Sequence, residues 1–162
     1  MIESSRPPDP DLPTLLSLLG GAVDGHVLTT MRTAGLPGLR ASHGYLFQLL
    51  VQAPSTATEL AARLRISQQA ASKAVRELLD LGYIEYTEAT DRRRRPVRLS
   101  ATGQRAVALA RTIRADLQNR IEQSAGPADL RAAMRVLAAT AAALEIDTTI
   151  RGRQVPPPTE QS

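Results

Sequence analysis

Leu12, Leu16, Leu19, Val23, Val27 and Met31 recur at spacings of three and four, which draws one apolar stripe along a helix from Leu12 to about Ala34. Asp11 precedes it as an N-cap, and Pro13 sits in the first turn, where a missing N–H breaks no intrahelical bond. Gly20-Gly21 weakens this helix midway and gives it a place to bend. A second helix is predicted from Ala41 to Gln52, with Leu46, Leu49 and Leu50 inward. A third starts at Thr56, because Thr56-Ala57-Thr58-Glu59 is a capping-box pattern; it turns Leu60 and Leu64 inward and ends near Arg65. Ser67 caps a fourth helix whose inward positions are Ala71, Val75, Leu78 and Leu79, and Gly82 stops it.

The period then changes. Ile84 to Thr87 and Val97 to Leu99 alternate in polarity, which predicts two short antiparallel strands, and the joining loop from Glu88 to Pro96 is too long and charged for a tight turn. Helical spacing returns from Thr102 to about Glu122 (Ala106, Ala110, Ile113, Leu117, Ile121) and again from Pro127 (Leu130, Met134, Leu137, Ala141, Leu144). Residues 1–10 and 151–162 are rich in proline and read as disordered tails. The expected fold is mostly α with a small β-hairpin wing, one domain over 11–150 in which a winged helix-turn-helix at about 39–100 lies between terminal helices at about 12–34 and 102–148.

Composition narrows the chemistry. The 162 residues are 43% hydrophobic, enough for a core, yet no run approaches the roughly 18–20 apolar residues of a membrane span. The first eleven residues carry prolines and acids rather than a basic segment followed by an apolar one, so a signal peptide is not expected and the protein is read as soluble and cytoplasmic. With no cysteine and only two histidines, disulfides, thiolate chemistry and multi-ligand zinc are not expected, and no cofactor is implied. The net charge of +4 is unevenly placed: Ser55 to Arg105 holds ten Lys and Arg against six acids, and the remainder nets zero. A genome bias explains why all but one of the basic residues are Arg, but not why they cluster. Clustered cations are what a surface meeting phosphates needs.

The informative stretch is Glu59 to Leu99. Two capped helices around the turn Arg65-Ile66-Ser67 make a helix-turn-helix, with Ile66 plugging the gap and Ala61 and Ala62 permitting close approach. The candidate DNA-facing residues here are the cap Ser67 and the outward residues of the second helix, Gln68, Gln69, Ser72, Lys73 and Arg76, none apolar or acidic. Gln pairs with adenine, Ser reaches a base or phosphate, and Lys or Arg binds guanine or phosphate. A solvated helix face is the alternative; position directly after a tight helix–helix turn favours DNA. Arg92, Arg93, Arg94 and Arg95 repel one another on an ordinary surface, but as the tip of a wing they suit a narrow, electronegative minor groove. Asp91 pairs with one of them and sets its orientation.

Leu39 to Gly103 resembles the central domain of the MarR family. The resemblance rests on the helix-turn-helix core, on Leu81-Gly82-Tyr83-Ile84-Glu85, on Asp91-Arg92-Arg93, and on Val97-Arg98-Leu99-Ser100-Ala101-Thr102-Gly103 in register. It implies a homodimer built by the terminal helices, insertion of Arg93 into the minor groove, and regulation of DNA binding by a small molecule. Two positions depart from the family's pattern: Arg65 stands where Gly is common, which alters the turn, and Tyr86 stands where a basic residue is common, which removes a phosphate contact.

The function expected is thus a sequence-specific, double-stranded-DNA-binding regulator, a ligand-responsive repressor acting as a homodimer on a pseudo-palindromic operator. Dimerisation is expected on physical grounds as well, since the apolar faces of the terminal helices have no obvious partner within one small winged helix. A winged-helix regulator of another family and a protein-interaction module are the alternatives; aromatic platforms for single strands are lacking at 2% aromatic content. No phosphate loop, nucleophile motif or acid–base cluster suggests an enzyme. His26, His43, Tyr45 and Phe47 either line a ligand cleft between the terminal helices and the winged domain or are ordinary helix packing.

Overall fold

The computed structural model describes residues 9–88 and 95–146. In chain order it contains α1 (Leu12–Thr33), α2 (His43–Leu50), α3 (Ala57–Leu64), α4 (Gln68–Asp80), β1 (Ile84–Tyr86), β2 (Val97–Leu99), α5 (Ala101–Ala125) and α6 (Pro127–Ala143). Apart from Asp9 and Pro10, both expected tails lie outside the described residues.

Local chemistry sets the helix starts. Asp11 accepts the Thr14 N–H at 3.0 Å, a bond to the charged carboxylate that holds its pKa below the usual range. At α3 the box is complete: Thr56 Oγ1 accepts the Glu59 N–H at 3.2 Å, and Glu59 accepts the Thr56 N–H at 2.7 Å, which likewise lowers the Glu59 pKa. Ser67 caps α4 by accepting from Ala70, and Ser100 caps α5 by accepting from Gly103. The first helix runs unbroken through Gly20-Gly21.

Helix ends follow one pattern. After α1, α3, α4 and α6 the chain turns through a left-handed residue, respectively Gly35, Arg65, Gly82 and Glu145. At α3 the Ile66 N–H reaches Ala61 O at 3.1 Å and the Arg65 N–H reaches Ala62 O at 3.3 Å; at α4 Tyr83 and Gly82 repeat this with Leu78 and Leu79. These are Schellman closures, which satisfy carbonyls that a helix end otherwise leaves open. Glycine takes the conformation freely, whereas Arg65, at φ 54° and ψ 38°, does so against its own Cβ.

The core gathers Val27 and Met31 of α1, the inward leucines of α2 to α4, Tyr83, Ile84, Val97, Leu99, and Ala106 and Ile113 of α5. The predicted strands pair antiparallel, Ile84 with Leu99, Glu85 with Arg98 and Tyr86 with Val97. A contact across the chain was not legible beforehand: Ser55 exchanges both backbone hydrogen bonds with Val97, at 3.1 and 2.9 Å, and so ties the start of α3 to the wing. Gly103 has a steric reason. A Cβ there would stand 2.0 Å from the Tyr83 carbonyl oxygen, so only glycine lets α5 lie against the strand entry.

Four inward assignments differ. Ala61 is buried, but Ala62 is exposed, so the close approach of α3 and α4 rests on Ala61 alone. The α1 stripe is buried only at Val27 and Met31, while Leu12 and Leu19 are exposed; α6 buries only Ala141, leaving Met134, Leu137 and Leu144 open. Ile121 is exposed too. Within one chain α1 joins the core only through Val27 and Met31, and α6 packs on α5, so periodicity marked an apolar face without marking its cover.

Candidate nucleic-acid interface

Helix α4 is presented by the α3 turn on one side and by the hairpin on the other. Its outward residues fall into two rows. Gln69, Lys73 and Arg76 are exposed at helical spacing, and among the described residues no ion pair engages either cation. Gln68 and Ser72 belong to the second row and line a cleft of about 530 Å³ between α4, the start of α3 and the base of the wing. Gln68 Nε2 donates to Thr58 Oγ1 at 3.1 Å, which ties the first turn of α4 to α3. Ser67, grouped by sequence with the DNA-facing residues, uses its hydroxyl oxygen for the cap while its O–H can still donate.

At the far wall of the cleft, the Arg95 guanidinium lies 5.3 Å over the Tyr86 ring, and its Nη2 donates to the Thr87 carbonyl at 3.2 Å. Asp91, Arg92, Arg93 and Arg94 lie outside the described residues. Of the four wing arginines, Arg95 is therefore the one whose surroundings are described, and it stands at the foot of the hairpin beside β2. Thr58 and Tyr86 were not singled out as contact residues from sequence. Thr58 was legible only as part of a capping box, and Tyr86 only as a departure from a basic position.

Behind α4, buried polar groups fix its seat. His43 Nδ1 accepts the Arg40 backbone N–H at 3.3 Å, so the ring proton resides on Nε2, which donates to Glu77 Oε2 at 3.3 Å. Glu77 also pairs with the Arg40 guanidinium. Burial, and secondarily the positive charge of Arg40, depress the His43 pKa to about 4, so at neutral pH this is a neutral imidazole donating to a carboxylate. On the same side, Tyr83 donates to the Pro37 carbonyl at 2.8 Å and packs against Phe47 with ring centroids 6.1 Å apart.

Residues 34–95 match the model of the MarR family. This segment is similar to a MarR-family domain. The fold beyond that segment agrees: FabT of Streptococcus pneumoniae, solved in complex with DNA, superposes with a TM-score of 0.69 at 16% identity, over 83% of this chain and 95% of that one. The YusO protein of Bacillus subtilis gives 0.64 at 19%, over 82% and 94%. A MepR variant of S. aureus bound to an oligodeoxyribonucleotide gives 0.57 at 15%, over 84% and 99%. No curated protein matches the sequence.

Within this MarR-type architecture, the four residues considered for a ligand cleft do not share one environment. His43 and Phe47 are buried, the first against Arg40 and Glu77 and the second against Tyr83. Tyr45 is half-buried; its pKa is raised by burial and by nearby Asp24, with Arg114 opposing, which places it towards α1 and α5. His26 is exposed on α1. The clefts beside α4 and at the start of α5 are lined by other residues. Among the described residues no helix is long and apolar enough to cross a membrane, and no group of His, Asp or Glu is placed to hold a metal ion.

Proposed function

We propose that this protein is a homodimeric transcriptional repressor that binds double-stranded DNA at a pseudo-palindromic operator. The observation that carries the reading is the exposed row Gln69, Lys73 and Arg76 on α4, with Gln68, Ser72 and Arg95 lining the cleft beside it. Amide and cationic groups on one face of a helix that protrudes after a tight turn have the donors and acceptors to read base edges in a major groove. Two structures of the same fold are complexes with DNA or an oligodeoxyribonucleotide, which supports DNA binding by this fold.

Dimerisation is supported by the apolar residues that the fold leaves open at both chain ends. Leu18 and Leu19 on α1, with Met134, Val136, Leu137 and Leu144 in and just after α6, are exposed in the single chain. A second copy buries such faces by symmetry, and it supplies a second recognition helix about one helical turn of DNA away. Any effector that releases the operator acts by changing the spacing or mobility of the two α4 helices, with a coupling of roughly 1–3 kcal/mol.

The test begins with duplexes selected from random DNA by the purified protein. On the selected operator, Gln69→Ala should cost about 1–3 kcal/mol and relax preference at one symmetric pair of positions. Arg93→Ala should weaken operator and scrambled duplex more evenly and flatten the salt dependence by about one phosphate equivalent per protomer. Failure to enrich any sequence, with no retardation of scrambled DNA, would overturn the reading in favour of a protein-interaction module.

A further inference from the structure

We propose that Arg95 is a backbone-phosphate clamp, held between the recognition helix and the wing by Tyr86 and distinct in role from the arginines of the wing tip. The proposal rests on the reading that this protein binds duplex DNA, and it assigns one residue a contact within that complex.

Three features of Arg95 point to this role. Its backbone is fixed where the hairpin begins to open, since the Thr87 N–H donates to the neighbouring Pro96 carbonyl at 2.9 Å. Its head is fixed as well, by the Tyr86 ring on one face and the Thr87 carbonyl at one nitrogen. A guanidinium held at two points loses less side-chain freedom on binding than one on a solvated loop. Finally, its Nε–H is buried and has no acceptor among the described residues. A buried charged donor without a partner is costly in the free protein, a cost that the charge of an anion in the adjoining cleft offsets.

The cleft suits a passing phosphodiester rather than an enclosed ligand. It is an open groove whose walls offer Arg95, Ser72 and Thr58. The Thr58 oxygen already accepts from Gln68, which leaves its O–H free to donate, and Ser72 adds another hydroxyl. Glu59 also lines the groove, but its carboxylate is held by the Thr56 N–H and hydroxyl at 2.7 and 3.0 Å. Guanidinium and hydroxyl donors from both walls suit the oxygens of one phosphate, fixing the register of α4 in the major groove without reading a base. The tyrosine that removes a cation from β1 is the ring that holds one supplied from beside β2.

The experiment measures binding to the selected operator and to a scrambled duplex across a salt series. Arg95→Gln, which keeps the stem and removes the charge, should weaken both duplexes by the same factor, roughly tenfold. It should also lower the slope of log affinity against log salt by about 0.9 per protomer. Tyr86→Leu should move both quantities the same way, while Tyr86→Phe stays at wild type because the ring is retained. Single methylphosphonate replacements along the operator should find one symmetric phosphate pair that weakens wild type and leaves Arg95→Gln unaffected. Wild-type affinity and slope in Arg95→Gln would overturn the clamp while leaving the DNA reading intact. So would loss of operator binding with unchanged scrambled binding, which would mark Arg95 as a base reader. Failure of wild type to bind any duplex would overturn both.

Discussion

Replacing His43 by Gln should remove a loss of stability that wild type suffers as the pH falls from about 6.5 towards 4. The folded ring has its pKa depressed from 6.5 to about 4 by burial first and by Arg40 second. As acid is added, the unfolded chain therefore takes up the proton before the folded one does. The contribution is fully present above the unfolded value of 6.5 and disappears on descending through the folded value of about 4. One proton of difference corresponds to a slope of about 1.4 kcal/mol per pH unit. Carried over that window the slope sets a ceiling near 3 kcal/mol, and attraction between imidazolium and the Glu77 carboxylate brings the expectation to roughly 2 kcal/mol. Protonation also puts a second N–H opposite the Arg40 amide that Nδ1 accepts from, so the start of α2 should loosen with it. Urea unfolding at intervals from about pH 7.5 to pH 4.5, analysed as the difference between wild type and His43→Gln, isolates this group from Glu59 and Asp11, whose depressed pKa values place their effects lower. A flat difference across that range would refute the buried neutral imidazole and the Glu77 bond derived from it.

Two further outcomes are expected. Arg65→Gly should stabilise the protein by about 0.5–1 kcal/mol, because relief of the left-handed backbone outweighs the added freedom of the unfolded chain; Arg65→Ala keeps the Cβ and should show no such gain. A urea midpoint for Arg65→Gly no higher than that for Arg65→Ala would contradict this. Leu137→Arg combined with Leu144→Arg should turn a dimer into a monomer by light scattering at micromolar concentration, since it sets charge into an apolar seam; a wild-type monomer under those conditions would overturn dimerisation itself.

Much of the architecture was legible residue by residue, because the signals are local. A capping box at Thr56 and Glu59, a serine cap at Ser67 and a left-handed Gly82 act within a few residues of chain, so these helix starts and stops stood in the sequence. The outward row of α4 was legible for the same reason, as was the pairing of Ile84 to Tyr86 with Val97 to Leu99.

What depended on tertiary structure is what brings distant residues together. Period 3.6 marked apolar faces on α1 and α6, but a periodicity carries no information about what covers a face, and Leu19 and Leu137 remain open in the single chain. His43 has the sequence context of an ordinary helix start; only the approach of α4, which brings Glu77 across 34 residues of chain, makes it a buried donor. Four arginines in a row look equivalent in sequence. Arg95 falls where the hairpin closes, over Tyr86 and in the cleft that Ser72 also lines, because strand register and the packing of α4 put it there.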